Sequence, residues 1–186
     1  ECHLAYQSSM MAASWYCLVQ QDAQLLSRMM QHLPNTGHQS TWITYVRCHD
    51  DIGWNVLKPE LDEKGLAALL QVSKFLGGQA SGTYANGRSF QAHDPEAVHG
   101  TNGMLSELVG FQNLEDALGW QRYKLMSSLP YVLGGIPMVY MGDELAQANA
   151  QEDAEGMPAW TDGRDLHRPY FDESLLQSDN DSGIKA

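Results

Sequence analysis

Two strand-like runs that each deliver charged groups at their C-terminal end constrain the fold of this chain most tightly. "TWITYV" (41–46) is rich in β-branched and aromatic residues, so it reads as a strand, and it runs straight into "RCHDD" (47–51). "GGIPMVYMGDE" (134–144) reads as a second, buried strand. Pro137 lies near its start, where a missing N–H is tolerated, and Asp143 and Glu144 lie at its end. Helical patterns separate these runs, and alternating strands and helices argue for parallel β/α units. Polar groups gathered after strand ends fit the active-site face of a (β/α)8 barrel. About three strands are visible, whereas a closed barrel needs eight and about 250 residues. With 186 residues, the chain is expected to be α/β, a partial (β/α)8 TIM barrel.

The remaining elements follow from periodicity. "CHLAY" (2–6) reads as a short strand. From Met10 to about Gln31 the pattern is helical, with Met11, Trp15, Leu18, Leu25, Leu26 and Met29 near one face as core rather than as a cofactor box. "LPNTGHQS" (33–40) breaks that helix with Pro34 and Gly37. A second helix is expected over 63–76. A third is expected over 113–129, with Leu114, Leu118, Leu125 and Leu129 on one stripe. The Gly-rich stretch 77–103 has little periodicity; a structureless loop that long is uncommon unless it serves a function such as an active-site wall. The tail from Ala146 reads as polar loop. The divisions expected are 1–53 for the β/α units carrying the His-Asp pair, 54–103 for an insertion, and 104–186 for the last helix, strand and loop.

The formal net charge is −12, from 11 Lys and Arg against 23 Asp and Glu. Nucleic acid and anionic membrane surfaces both require basic partners, so neither is expected to bind. No apolar run reaches the roughly 18 residues that suggest a membrane span. An opening on "ECHLAY", with no initiator Met or signal peptide, looks cut from something longer. Cys2, Cys17 and Cys48 are odd in number and lack metal-ligand spacing, so they read as free thiols in a reducing, cytoplasmic compartment.

A family likeness lies in the blocks themselves. "YVRCHDDIGW" resembles the segment after the seventh barrel strand in the α-amylase superfamily, glycoside hydrolase family 13. Its longer form, with Arg before, a second Asp after and Ile-Gly-Trp, is similar to the amylosucrase branch. In the same order, "ECHLAY" and the Met/Trp helix resemble the sixth β/α unit, and "HGTNGMLSELVGF" the segment leading into the seventh helix. "GGIPMVYMGDE" resembles the eighth strand and its loop, and "HRPYF" the His-Arg-Pro element that closes a glucosyl pocket. The likeness covers about residues 1–172 and places the chain at about strands 6 to 8.

The resemblance implies a retaining double displacement on an α-glucoside, with sucrose the expected sugar substrate, opened by water or by a sugar hydroxyl. Asp50 matches the third carboxylate, which grips and distorts the glucosyl ring. His49 matches the histidine that donates to a sugar hydroxyl. Arg168 matches the arginine at the floor of the glucose subsite, and Asp51 a second aspartate near the pocket mouth. No stretch resembles the nucleophile or the general acid, nor the aspartate partner of Arg168, so the chain alone is expected to be inactive. No arginine precedes "HGTNG", where amylosucrases carry a basic acceptor-site residue; this speaks against polymer formation. No cofactor or metal is implied: His93, Asp94 and His99 read as loop residues, and Asp143 and Glu144 are read as cap or loop residues as readily as functional ones. Trp54 either stacks on a sugar or packs under the insertion. Two other functions fit parts of the pattern. A metal-dependent His-Asp phosphohydrolase would need further histidines at helical spacing, which are missing. A non-catalytic fragment would expose sheet edges and self-associate through them.

Overall fold

The computed structural model describes residues 2–90, 94, 97–151 and 163–177. It is a mixed α/β structure built on a three-stranded parallel sheet in the order β1 (Leu4–Tyr6), β2 (Thr41–Thr44), β5 (Ile136–Pro137). Leu4 pairs with Thr41, and Ile43 with Ile136. β2, the middle strand, carries the His-Asp-Asp stretch beyond its C-terminal end.

Between β1 and β2 the chain forms α1 (Ser8–Gln20) and α2 (Gln24–Gln31) rather than one continuous helix. Gln21 adopts a left-handed conformation, φ 54°, and its N–H caps the α1 carbonyls of Cys17 and Leu18. The Asp22 carboxylate accepts from the Gln24 N–H at 2.9 Å, a local side-chain bond that competes with helix propagation. α1 is buried on nearly all sides over Met10–Trp15. The Trp15 indole donates to the Val46 carbonyl at 2.8 Å, fastening α1 to the chain just beyond β2.

The stretch read from the sequence as an insertion begins with a 3-10 segment, Trp54–Glu60, followed by α3 (Glu63–Leu76). α3 matches its expected bounds because its signals are local. Asp62 caps the Gly65 N–H at 2.8 Å, Glu63 lies in the first turn, Lys74 in the last, and Gly77 follows. The Gly-rich stretch is not wholly structureless. It contains an antiparallel pair, β3 (Arg88–Phe90) and β4 (Gly100–Asn102), to which Ile52 adds a further bridge at Thr101. The Ile52 and Thr101 backbones exchange hydrogen bonds of 2.8 and 3.2 Å. The motif after β2 is thereby joined to the insertion. Trp54 packs rather than presenting its face: it is 2 % exposed, and its indole donates to Thr101 Oγ1 at 3.0 Å.

A short α4 (Leu105–Leu108) precedes α5 (Ala117–Val132), capped by Asp116 on the Gly119 N–H at 3.0 Å. The expected leucine stripe of α5 is corrected. Leu118 and Leu125 face outward, while Gly119, Tyr123, Met126 and Pro130 are buried. Pro130 in the last turn lacks a helical N–H, but its carbonyl accepts from Thr44 Oγ1 at 2.7 Å and ties α5 to β2. The regular part of the last strand is shorter than 134–144 suggests, only Ile136–Pro137, and Asp143–Leu145 turn as a 3-10 segment. The tail contains a 3-10 turn at Gly163–His167 and a short α6 (Ser174–Gln177). Among the described residues β1 and β5 pair only with β2. Leu4, Tyr6, Ile136, Val139 and Met141 stay exposed. No helix among the described residues is long and apolar enough to cross a membrane.

Candidate functional site

Beyond β2 the chain leaves the sheet and turns through Cys48, His49 and Asp50. Arg47 and Cys48 are buried, and His49 and Asp50 emerge into solvent. They line an open cleft of about 410 Å³ together with Tyr6, Tyr45, Asp51 and Arg164. The cleft wall is thus drawn from the ends of β1 and β2 and from the tail. Tyr45 is held by a 2.9 Å hydrogen bond to Ser8 and by an edge contact with Tyr6.

Asp50 is the electrostatic centre. Its Oδ1 lies 3.2 Å from Arg164 Nη1 and 3.5 Å from Arg168 Nη2, and its Oδ2 3.5 Å from His49 Nε2. Its side chain is 52 % exposed. Solvent therefore screens these pairs, each worth from nothing to about 1 kcal/mol. Their effect is to aim the carboxylate. Arg168 is not left without an acidic partner, as the sequence suggests. It meets Asp50, and its Nε donates to the His49 carbonyl at 2.8 Å. Arg164 also stacks over Phe90 of β3, 5.2 Å from the ring centre, so the insertion steadies it.

Asp51 is half-buried at the cleft's edge, against the hairpin. Burial raises its carboxyl above the usual range, and the neighbouring Asp50 adds to that; a backbone hydrogen bond opposes both. A Cβ on Gly100 would collide with the Asp51 carboxylate, so glycine at 100 leaves room for it in this position. All four residues named from the sequence, His49, Asp50, Asp51 and Arg168, therefore meet at one place. Asp51 meets the others through the shared wall and the insertion.

Behind the wall lies a buried polar layer. Arg47 is 1 % exposed; its Nε donates to the Gly103 carbonyl at 2.8 Å and its Nη2 to the Asp50 carbonyl at 3.0 Å. Burial lowers its pKa, opposed by the charge of Asp143 among others. Asp143 is 4 % exposed, and its Oδ1 accepts from the Leu105 N–H at 3.2 Å. Burial pushes its carboxyl up to about 7 against the pull of Arg47. The Tyr123 hydroxyl donates to the Asp143 carbonyl. Asp143 is thus an internal packing residue, and Glu144 accepts from the Gly142 N–H as a turn residue. His167 is fully buried, and its Nε2 lies 3.1 Å from the His49 carbonyl. Burial, with Arg47 nearby, holds its pKa down to about 3.

The sequence does not mark Arg47, Arg164, His167 or Gly100 as site residues. The only signal for them is adjacency: Arg47 within "YVRCHDD", His167 within "HRPYF", and Gly100 within "HGTNG". Arg164 has no local signal. Among the described residues, no group of three or more His, Cys, Asp or Glu converges as a metal site. His93 lies outside the described residues. His99 Nε2 lies 2.5 Å from the Asp94 carbonyl. Cys2, Cys17 and Cys48 are free thiols. The arrangement offers a solvent-facing anion, a neighbouring imidazole and two guanidinium groups on one rim. Such a set can both accept hydrogen bonds from hydroxyl groups and donate to them. No protein-family model matches the chain.

Proposed function

We propose that this chain is the strand 6 to 8 part of the catalytic barrel of a retaining α-glucoside-processing enzyme of the amylosucrase type, acting on sucrose. The observation that carries the reading is the convergence of "CHDD" and "HRPYF". The two lie more than a hundred residues apart, yet Arg168 and Asp50 approach to 3.5 Å and Arg168 Nε bonds the His49 carbonyl. The strands add in chain order, all parallel, as an arc of a barrel does, and the cleft opens at their C-terminal ends.

In this reading Asp50 accepts from ring hydroxyls of the glucosyl unit and, as an anion, favours the positive charge that develops at the anomeric carbon. His49 donates to a hydroxyl on the same ring. Arg168 forms the floor of the subsite, and Asp51 sits near its mouth. Arg164 releases Asp50 in part as the sugar replaces it. The nucleophile and the general acid are supplied from outside these residues, so this chain by itself turns over no glucoside. Transfer is to water or a small acceptor.

The test is the protein isolated from its source, incubated with sucrose and followed by proton NMR. Fructose release with a first-formed product of α configuration supports the reading. A first product of β configuration, or no glucoside turnover by a protein active on phosphate esters, refutes it.

A further inference from the structure

We infer that Arg47 and His167 are positioning residues that clamp the His49–Asp50 turn through its two main-chain carbonyls, fixing the direction of the Asp50 carboxylate before any sugar arrives. This rests on the reading of Asp50 as the sugar-gripping group. The argument starts from burial. Arginine and histidine with 1 % and 0 % exposure are uncommon in a core, because desolvating them is costly unless their donors are used. Here Arg47 Nε and Nη2 and His167 Nε2 are spent on peptide oxygens, while Arg47 Nη1 and His167 Nδ1 have no hydrogen-bond partner among the described residues. Arg47 Nη2 donates to the Asp50 carbonyl at 3.0 Å. His167 Nε2 at 3.1 Å and Arg168 Nε at 2.8 Å share the His49 carbonyl. A carbonyl only accepts, so His167 must carry its proton on Nε2, and burial keeps the ring neutral.

The anchors come from separate parts of the chain. Arg47 also grips the Gly103 carbonyl at 2.8 Å, at the end of β4, and so references the turn to the insertion. Gly103 has φ 157°, and a Cβ there would fall 2.7 Å from Leu108 Cδ2, which fixes the position of this acceptor. His167 is referenced to the loop after β5, since the Tyr140 hydroxyl donates to its carbonyl at 3.0 Å. With both peptide oxygens held, the plane of the His49–Asp50 peptide and the next one cannot rotate freely. The Asp50 side chain then leaves the backbone in one direction, which is the pre-organisation that sugar distortion requires.

The experiment uses the whole protein from its source, labelled with carbon-13 and nitrogen-15, in the wild type and in His167→Leu, His167→Gln, Arg47→Met and Arg47→Lys. The readout is the carbonyl carbon resonances of His49 and Asp50, with glucose as probe ligand. Loss of a donor moves a carbonyl resonance upfield. His167→Leu is expected to shift His49 but not Asp50, and Arg47→Met to shift Asp50 but not His49. His167→Gln, whose side-chain amide replaces the Nε2 donor, is expected to restore the His49 position. Glucose affinity should fall about tenfold in His167→Leu, as for loss of one well-placed buried hydrogen bond, and recover in His167→Gln. If Arg47→Met does not fold, the His167 pair and Arg47→Lys decide the question alone. Unmoved carbonyl resonances in folded His167→Leu would overturn the clamp. Shifts as expected, but no effect of glucose on Asp50 in the wild type, would overturn the sugar reading and leave the clamp standing.

Discussion

Asp143 and His167 lie in the same buried layer, and their perturbed titrations pull stability in opposite directions. Burial raises the Asp143 carboxyl from 3.8 to about 7. Between those values the folded state holds a proton that the unfolded state has lost. The contribution of Asp143 is therefore complete below 3.8 and is lost as pH climbs through 7. His167 is lowered from 6.5 to about 3, so its contribution is present above 6.5 and lost as pH falls towards 3. Working both through linkage, between about pH 5 and about pH 7.5 Asp143 loses roughly 2.5 kcal/mol and His167 regains about 2 kcal/mol. The two nearly cancel. Groups facing Asp143 include Arg47, Glu144 and Tyr123. The perturbation is to remove one member at a time. Asp143→Asn keeps an oxygen for the Leu105 N–H and leaves His167 alone. His167→Gln keeps a donor for the His49 carbonyl and leaves Asp143 alone. Urea unfolding at the two pH values, each referred to wild type, should show Asp143→Asn gaining about 2.5 kcal/mol and His167→Gln losing about 2 kcal/mol as pH rises. The changes common to all three proteins drop out of the comparison. Parallel pH profiles for the three proteins would refute the burial of these two groups.

Three further outcomes are expected. Trp54→Phe removes the indole donor to Thr101 Oγ1 and should destabilise the chain by about 1–2 kcal/mol in urea, since the threonine hydroxyl stays buried; a change within error refutes the packing role. Gly100→Ala should leave the helical circular dichroism intact while displacing Asp51, seen as a changed Asp51 side-chain carbon resonance, because the added methyl would collide with Oδ2. The edges of β1 and β5, unpaired among the described residues, and the exposed Leu4, Tyr6, Ile136 and Met141 should make the isolated chain associate in sedimentation equilibrium. Tyr6→Lys should shift that equilibrium towards monomer, and a monomeric wild type at high concentration would refute the prediction.

The elements that could be read from the sequence are those whose instructions are local. α3 is bounded by its own Asp62 cap and by Gly77, and β2 lies within a dense run of β-branched and aromatic residues, although it ends at Thr44, short of Tyr45 and Val46. The break between α1 and α2 escaped periodicity because it rests on one backbone conformation at Gln21 and one side-chain bond from Asp22, which cost the apolar pattern nothing. The α5 stripe misled for a different reason. Leucines mark apolar surface but do not say which face the core accepts. That face carries Tyr123, which bonds the Asp143 carbonyl and packs on Phe111, and Met126, buried in the same core. In the site, the contiguous His49-Asp50-Asp51 was legible as a unit. The arginines that aim Asp50 lie 114 and 118 positions away, and no spacing rule connects them. Arg47 was visible as a letter in the motif but not as a buried clamp, because arginine is ordinarily a surface residue and only the folded chain reveals its enclosure.

The most direct test of the proposed role of Asp50 is steady-state sucrose turnover by the protein from its source, wild type against Asp50→Asn. Asparagine preserves size but removes the charge that grips the ring as positive charge develops. Asp50→Asn is expected to lower kcat about a thousandfold and to raise KM by a smaller factor, because the carboxylate grips the ring in the ground state and more strongly in the transition state. Unchanged kcat, or a loss confined to KM, would contradict it.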